Sequence, residues 1–126
     1  MIVVAFSGSR RATGQEHVAI VQRELAALVD RIGIDRLAVV HGAADGIDLA
    51  VDVCCQHMGI QVVRCPANWK LLGSAAGPRR NAFMLDFVKV SEVVALPDSE
   101  SVGTRGMIHQ CERRGIPCRV VELGDL

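Results

Sequence analysis

Arg79 and Arg80 stand beside Gly77 and Pro78 in the stretch AAGPRRNAFML, residues 75 to 85, just ahead of an apolar run with helical spacing. Two guanidinium groups crowd a helix start, where cations oppose the positive end of the helix dipole. A residue set against local preference signals a compensating gain, and for arginine that gain is planar, bidentate recognition of an anion. Arg80, supported by Asn81, is therefore expected to grip a phosphate, and Arg79 to face solvent or a partner subunit. On this reading Arg80→Ala weakens binding and hardly disturbs the fold.

Three other stretches carry the same chemistry. They read SGSRRATG (7–14), HGAADG (41–46) and PDSESVGT (97–104). Gly8, Gly42 and Gly103 each follow an apolar run. Glycine at such a turn lets backbone N–H groups approach phosphate oxygens, which then face a helix N-terminus. Ser7, Ser9 and Thr104 add hydroxyl donors, Arg10 adds a second cation, and His41, Ala43 and Asp48 complete the second loop. Bland roles stand beside these. Asp45 and Asp48 near a helix start also suit its dipole, and His41 at a strand end also suits a structural histidine with both nitrogens bonded. Trp69, the only tryptophan, suits a cap over the core better than a platform for a base.

The elements that must position these residues alternate along the chain. Apolar runs at 2–6, 36–40, 60–64, 92–96 and 118–122 have strand length. Between them, Thr13-x-x-Glu16 reads as a capping box opening a helix that ends at Gly33. A second helix spans 46–58 and stops at Gly59. A long loop, 65 to 78, leads into a helix from Arg79 to Val90, and a last helix ends at Gly115. Strands apolar along their whole length, separated by amphipathic helices, imply one α/β domain over residues 1–126. The expected architecture is a Rossmann-like, doubly wound parallel five-stranded sheet with helices on both faces. Ligands of such sheets bind beyond the carboxyl ends of the strands, so one pocket there, lined by the loops just named, is expected.

Composition narrows the partners. Formal net charge is zero, so no global field recruits nucleic acid or an anionic membrane. The 14 basic residues are 12 Arg and 2 Lys, a bias toward fixed anion recognition. MIVVAF lacks a basic leader region and no apolar run approaches the length of a membrane span, so a cytoplasmic protein is expected. Five cysteines without a C-x-x-C pair argue against a disulfide framework or a zinc knuckle. His17, His57 and His109 lack a second ligand at metal spacing, so neither a metal nor another cofactor is expected. SGSRRATG is not G-x-G-x-x-G, and no G-x-x-x-x-G-K-[ST] occurs, which excludes the common dinucleotide and P-loop patterns.

Taken together, SGSR after the first strand, HGAADGIDLA, PANW with GSAAGPRRN, and GT after the fourth strand resemble the SLOG superfamily. The similarity is greatest to its small YspA/YpsA-like members and runs over nearly the whole chain. The resemblance implies a Rossmann-like fold and a nucleotide or nucleotide-derived ligand. It places Gly8, Ser9 and Arg10 at the first phosphate loop, Gly42 and Asp48 in the second, Arg80 and Asn81 at the helix start, and Gly103 and Thr104 in the last. Relatives include the LOG-type phosphoribohydrolases, which release a base from a nucleoside 5′-monophosphate, and the DNA-binding protein DprA. The LOG enzymes carry a glutamate after their glycine-threonine pair, where this chain has Arg105, Gly106 and Met107. Asp98 and Glu100 are the only nearby acids that could replace it, and they precede the glycine. Binding or sensing of a nucleotide-like molecule is thus the expected function, with phosphoribohydrolase activity and DNA binding as alternatives. By the same resemblance the protein is expected to form a homo-oligomer, a dimer, through Met84, Phe87 and Val88.

Overall fold

A computed structural model describes all residues, 1–126. The first strand, β1 (Ile2–Gly8), is apolar along most of its length because both its faces are covered. Alternate residues point to opposite layers: Val4 and Phe6 join one core cluster, and Ala5 joins the other. The larger cluster, 16 buried residues, packs α1 (Gln15–Ile32) and α2 (Ile47–Met58) on one face. The smaller, 8 residues, packs Met84, Leu85, Met107 and Cys111 on the other.

β2 (Leu37–His41), β3 (Gln61–Arg64), β4 (Glu92–Leu96) and β5 (Cys118–Val120) complete a wholly parallel sheet. Its strand order is β3-β2-β1-β4-β5. Order therefore reverses at β1, which leaves a crevice at the carboxyl ends of β1 and β4. The register shows how it opens. Pairing of β1 with β2 ends at Ala5 and Val40, whereas pairing with β4 continues to Gly8 and Leu96. Beyond that point the chain turns toward α2, and the Ile47 amide donates to the Ser9 carbonyl at 2.9 Å.

Three local expectations are corrected. The Thr13 capping box does not form: α1 starts one residue later with Gly14 as its N-cap, and the His17 ring Nδ1 accepts from the Gly14 amide at 3.2 Å. The stretch 65–78 is not a loop throughout. Asn68 caps α3 (Trp69–Leu72) by accepting from the Leu71 amide, and a 3-10 turn at Gly73–Ala75 leads into α4 (Ala76–Phe83). A π-turn, Met84–Val88, ends this helical run. Pro78 is tolerated because it lies in the first turn of α4, where its missing N–H has no acceptor to lose. Arg79 and Arg80 thus lie inside α4 and not at its start. The third correction concerns the expected subunit contact: Met84 is buried and Val88 packs on the smaller core, which leaves Phe83 and Phe87 exposed as a stacked pair 5.4 Å apart. The last helix, α5 (Gly103–Arg114), ends at Gly115 as expected. No helix is long and apolar enough to cross a membrane.

Candidate functional site

The crevice at the strand reversal holds a cavity of about 450 Å³, within the range that takes a small ligand. The four loops that leave β1, β2, β3 and β4 all reach it, as a parallel sheet requires. Ser7, Gly8, Arg10, Asp48, Arg80, Asn81, Gly103 and Thr104 line it, together with Asp98 and Glu100. Ser9, His41, Gly42 and Ala43 do not.

Those four have structural work. The buried His41 ring bonds at both nitrogens: Nε2 meets Asp52 Oδ2 at 2.7 Å, and Nδ1 accepts from the Ala43 amide at 2.9 Å. The Nδ1 acceptor fixes the proton on Nε2, so His41 donates to Asp52. Gly42 makes room. A Cβ there would lie 2.0 Å from Arg80 Nη1, whose N–H donates to the Gly42 carbonyl at 2.5 Å.

Arg80 is accordingly less free than its sequence context suggests. Its Nε donates to Asn81 Oδ1 at 2.9 Å, and Nη1 is shared between the carbonyls of Gly42 and Cys65. Only Nη2 remains for a ligand, so Arg80 cannot present the expected two-pronged fork to a phosphate. Burial lowers its pKa, while the neighbouring Asp48 carboxylate pulls it back up. Arg10 is the less committed cation. Its guanidinium lies 4.8 Å from the centre of the Trp69 ring, a cation–π contact, and it pairs with no carboxylate.

Asp98 is spent on architecture. Ser9 Oγ and Arg11 Nη2 donate to its two carboxylate oxygens, the Glu100 amide adds a third bond at 2.7 Å, and Arg105 Nη2 donates to its carbonyl. The Ser9 hydroxyl bond is the main cause that brings its pKa down to about 2. A carboxylate so held ties the β1 loop to the β4 loop and is a poor proton donor. It stands in the cavity wall with both carboxylate oxygens already bonded, to Ser9, Arg11 and the Glu100 amide. Glu100 stays largely exposed, with Arg11 at 3.3 Å.

Asp52 resembles Asp98 in this respect. Hydrogen bonds from Arg64, first, and from His41 and Gln56 lower its pKa to about 2. For both acids the folded value lies below the ordinary 3.8. Their stabilisation is therefore complete above pH 3.8 and is lost as pH falls toward 2. Asp48 has the opposite sign: burial raises its pKa, so its share falls as pH rises from 3.8 through its folded value. Two lowered acids outweigh one raised acid, and the melting temperature is expected to drop steeply between pH 4 and pH 2. Thermal melts of the wild type and Asp52→Asn check this: a wild-type profile flat over that range refutes it, and the variant should show a shallower fall.

Sequence reasoning missed Arg11, Gln110 and the ring of Trp69 as cavity walls. Trp69 is 46% exposed, rests over Gly77 and bounds the cavity instead of capping the core. Gln110 could have been found from its spacing, since residues 103, 106 and 110 share one helix face. The N-terminus of α5 also faces the cavity through Val102, Gly103, Thr104 and Gly106, and no side chain caps it. Its first-turn N–H groups and positive dipole end form an anion-attracting wall. No group of three or more His, Cys, Asp or Glu side chains is placed to hold a metal.

The comparisons with known proteins agree with this fold. Among solved structures the fold is similar to TM1055, a structural-genomics target, with a TM-score of 0.70 and 18% identity over 94% of this chain and 72% of that one. It is also similar to DNA processing protein A (DprA) from Streptococcus pneumoniae, with a TM-score of 0.59 and 15% identity over 96% of this chain and 58% of that one. At such identities the likeness is one of fold. No curated protein matches the chain. Residues 2–71, more than half of the chain, match the YspA, cpYpsA-related SLOG family, from β1 through the loops bearing Ser7, Gly8, Arg10 and Asp48 to Trp69. With the parallel five-stranded sheet and the crevice at its strand reversal, the match makes this chain a member of that SLOG family.

Proposed function

We propose that the protein binds a nucleotide or nucleotide-derived small molecule, its phosphate lying between Arg10 and the N-terminus of α5. The observation that carries this reading is the cavity itself: a cation free of carboxylate partners and an uncapped helix start converge where strand order reverses. Trp69 offers a ready signal. It is the only tryptophan and the chain has no tyrosine, so emission reports on the residue that Arg10 covers. Titration with nucleoside mono- and diphosphates should give a saturable fluorescence change. By calorimetry, Arg10→Ala should weaken binding by about 1.5–3 kcal/mol, the worth of a charge-assisted contact. A panel with no saturable response by either method, or unchanged affinity in Arg10→Ala, refutes the reading.

The same proposal includes binding without base release. Met107 is buried and Arg105 is paired with Glu122, so the positions after Thr104 bring no carboxylate to the cavity. One observation favours the phosphoribohydrolase alternative: Asp48 is a buried cavity carboxylate with a raised pKa, the character of a general acid. Assay of nucleoside monophosphates for free base decides between them, and release abolished in Asp48→Asn would establish the enzyme. The protein is further proposed to be a cytoplasmic homodimer joined through Phe83 and Phe87, which are 51% and 74% exposed. Sedimentation should show a dimer that Phe87→Glu converts to monomer, and a wild-type monomer at high micromolar concentration refutes it.

A further inference from the structure

Two side-chain oxygens in the cavity walls are buried and lack any donor: Asp48 Oδ1 and Gln110 Oε1. Both residues are more than nine-tenths buried, at 4% and 7% exposure. Their other polar atoms are engaged. Asp48 Oδ2 accepts from the amides of Gly42 and Ala44 at 3.1 and 3.2 Å, and Gln110 Nε2 donates to the Pro78 carbonyl at 3.1 Å. These bonds fix which oxygen is left over. A buried acceptor with no partner is costly and uncommon in native proteins, and two in one cavity call for an external donor.

Cations and phosphates are the wrong partners for these atoms. A phosphate oxygen would meet a carboxylate and an amide oxygen, both acceptors, and a ligand ammonium would meet Arg10 and Arg80 nearby. The free Nη2 of Arg80 is the remaining clue, because its guanidinium and the Asp48 carboxylate act on each other electrostatically. A group that fits both must donate to Asp48 and accept from Arg80. A hydroxyl does this; an exocyclic base amine, which only donates, does not.

We infer that this cavity recognises the sugar of its ligand, with Asp48 Oδ1 and Gln110 Oε1 as acceptors for ribose hydroxyls. Asp48 and Gln110 then select for hydroxylation of the ligand, while Arg10 and the α5 N-terminus hold its anion. The inference rests on the proposed nucleotide-binding function and names the part of the ligand that its buried acceptors read.

The test uses ribose 5-phosphate and its 2-deoxy and 3-deoxy analogues, titrated calorimetrically into the intact protein. Ribose 5-phosphate should bind, and at least one deoxy analogue should bind about 10- to 100-fold more weakly, because its absence strands a buried acceptor. Asp48→Asn sharpens the assignment. Its amide oxygen must serve the Gly42 and Ala44 N–H groups, which turns the NH₂ toward the hydroxyl. This variant should lose affinity for ribose 5-phosphate by a similar factor and no longer distinguish the analogue that the wild type rejects. Gln110→Met, which removes the second acceptor together with the Nε2 bond to the Pro78 carbonyl, should lessen the discrimination at the other hydroxyl. Equal binding of all three sugars to the wild type overturns the inference and leaves phosphate binding intact. Failure of all three sugar phosphates and of the nucleotides overturns both. The wild-type comparison needs no variant, so a poorly folded Asp48→Asn does not obscure the outcome.

Discussion

Gly46→Ala is expected to destabilise the fold by about 2–6 kcal/mol, the sum of a strained backbone and an overpacked contact. Gly46 has φ +74° and ψ −124°, a region essentially reserved for glycine. Its added Cβ would lie 2.2 Å from the Ser9 carbonyl oxygen, and that oxygen holds the Ile47 amide at the start of α2. Backbone on both sides leaves nothing flexible to yield. The substitution must part α2 from the β1 loop, and so it should also abolish ligand binding. Gly103→Ala is the control: a Cβ there meets nothing within 4 Å, and stability should hardly change. Denaturant unfolding of the two variants checks this. A Gly46→Ala midpoint equal to that of the wild type refutes it.

Arg80→Ala should cost about 2–4 kcal/mol of stability, contrary to the near-neutral effect that its sequence context suggests. Truncation strips a donor from the Gly42 and Cys65 carbonyls and from Asn81 Oδ1, and it leaves the buried Asp48 without its nearby cation. Arg80→Lys should recover only part of the loss, since one ammonium cannot supply the Nε and Nη1 bonds together. Thermal melts and nucleotide titrations of both variants separate the roles. Unchanged melting with lost binding would restore Arg80 as a dedicated phosphate ligand.

The Arg80 correction shows what the sequence made legible and what it hid. Strands and the helices α1, α2 and α5 were readable because each carries a continuous apolar run or stripe closed by a glycine. The helix from Arg79 onward was readable too, but its start and α3 were not, because Gly73, Ser74, Gly77 and Pro78 are turn residues by local preference. Packing of the Trp69 ring against Gly77, where a Cβ would come within 3.1 Å, helps keep that segment helical. The location of the site was readable for a topological reason: in a parallel sheet every loop that leaves a strand emerges at the same edge. The division of labour among its arginines was not. It depends on partners far apart in sequence, Arg80 on Gly42 and Arg11 on Asp98, and no local pattern encodes those pairs.

The central place of β1 has a consequence for synthesis on the ribosome. Of the five strands, the one made earliest ends up in the middle of the sheet, paired on one edge with β2 and on the other with β4. By the end of β3 at Arg64, the chain holds α1 and α2 to cover one face. The opposite face, with Val3, Ala5 and Val40, and the far edge of β1 stay bare until α4, β4 and α5 emerge. At translation rates of about 5–20 residues per second, that half-built sheet persists for seconds with an open strand edge and an apolar surface. A chain held on the ribosome with Arg64 just clear of the exit tunnel should therefore bind apolar dyes and recruit chaperones, whereas the released protein should do neither. Dye binding by ribosome-bound chains arrested before and after β4 would measure the difference.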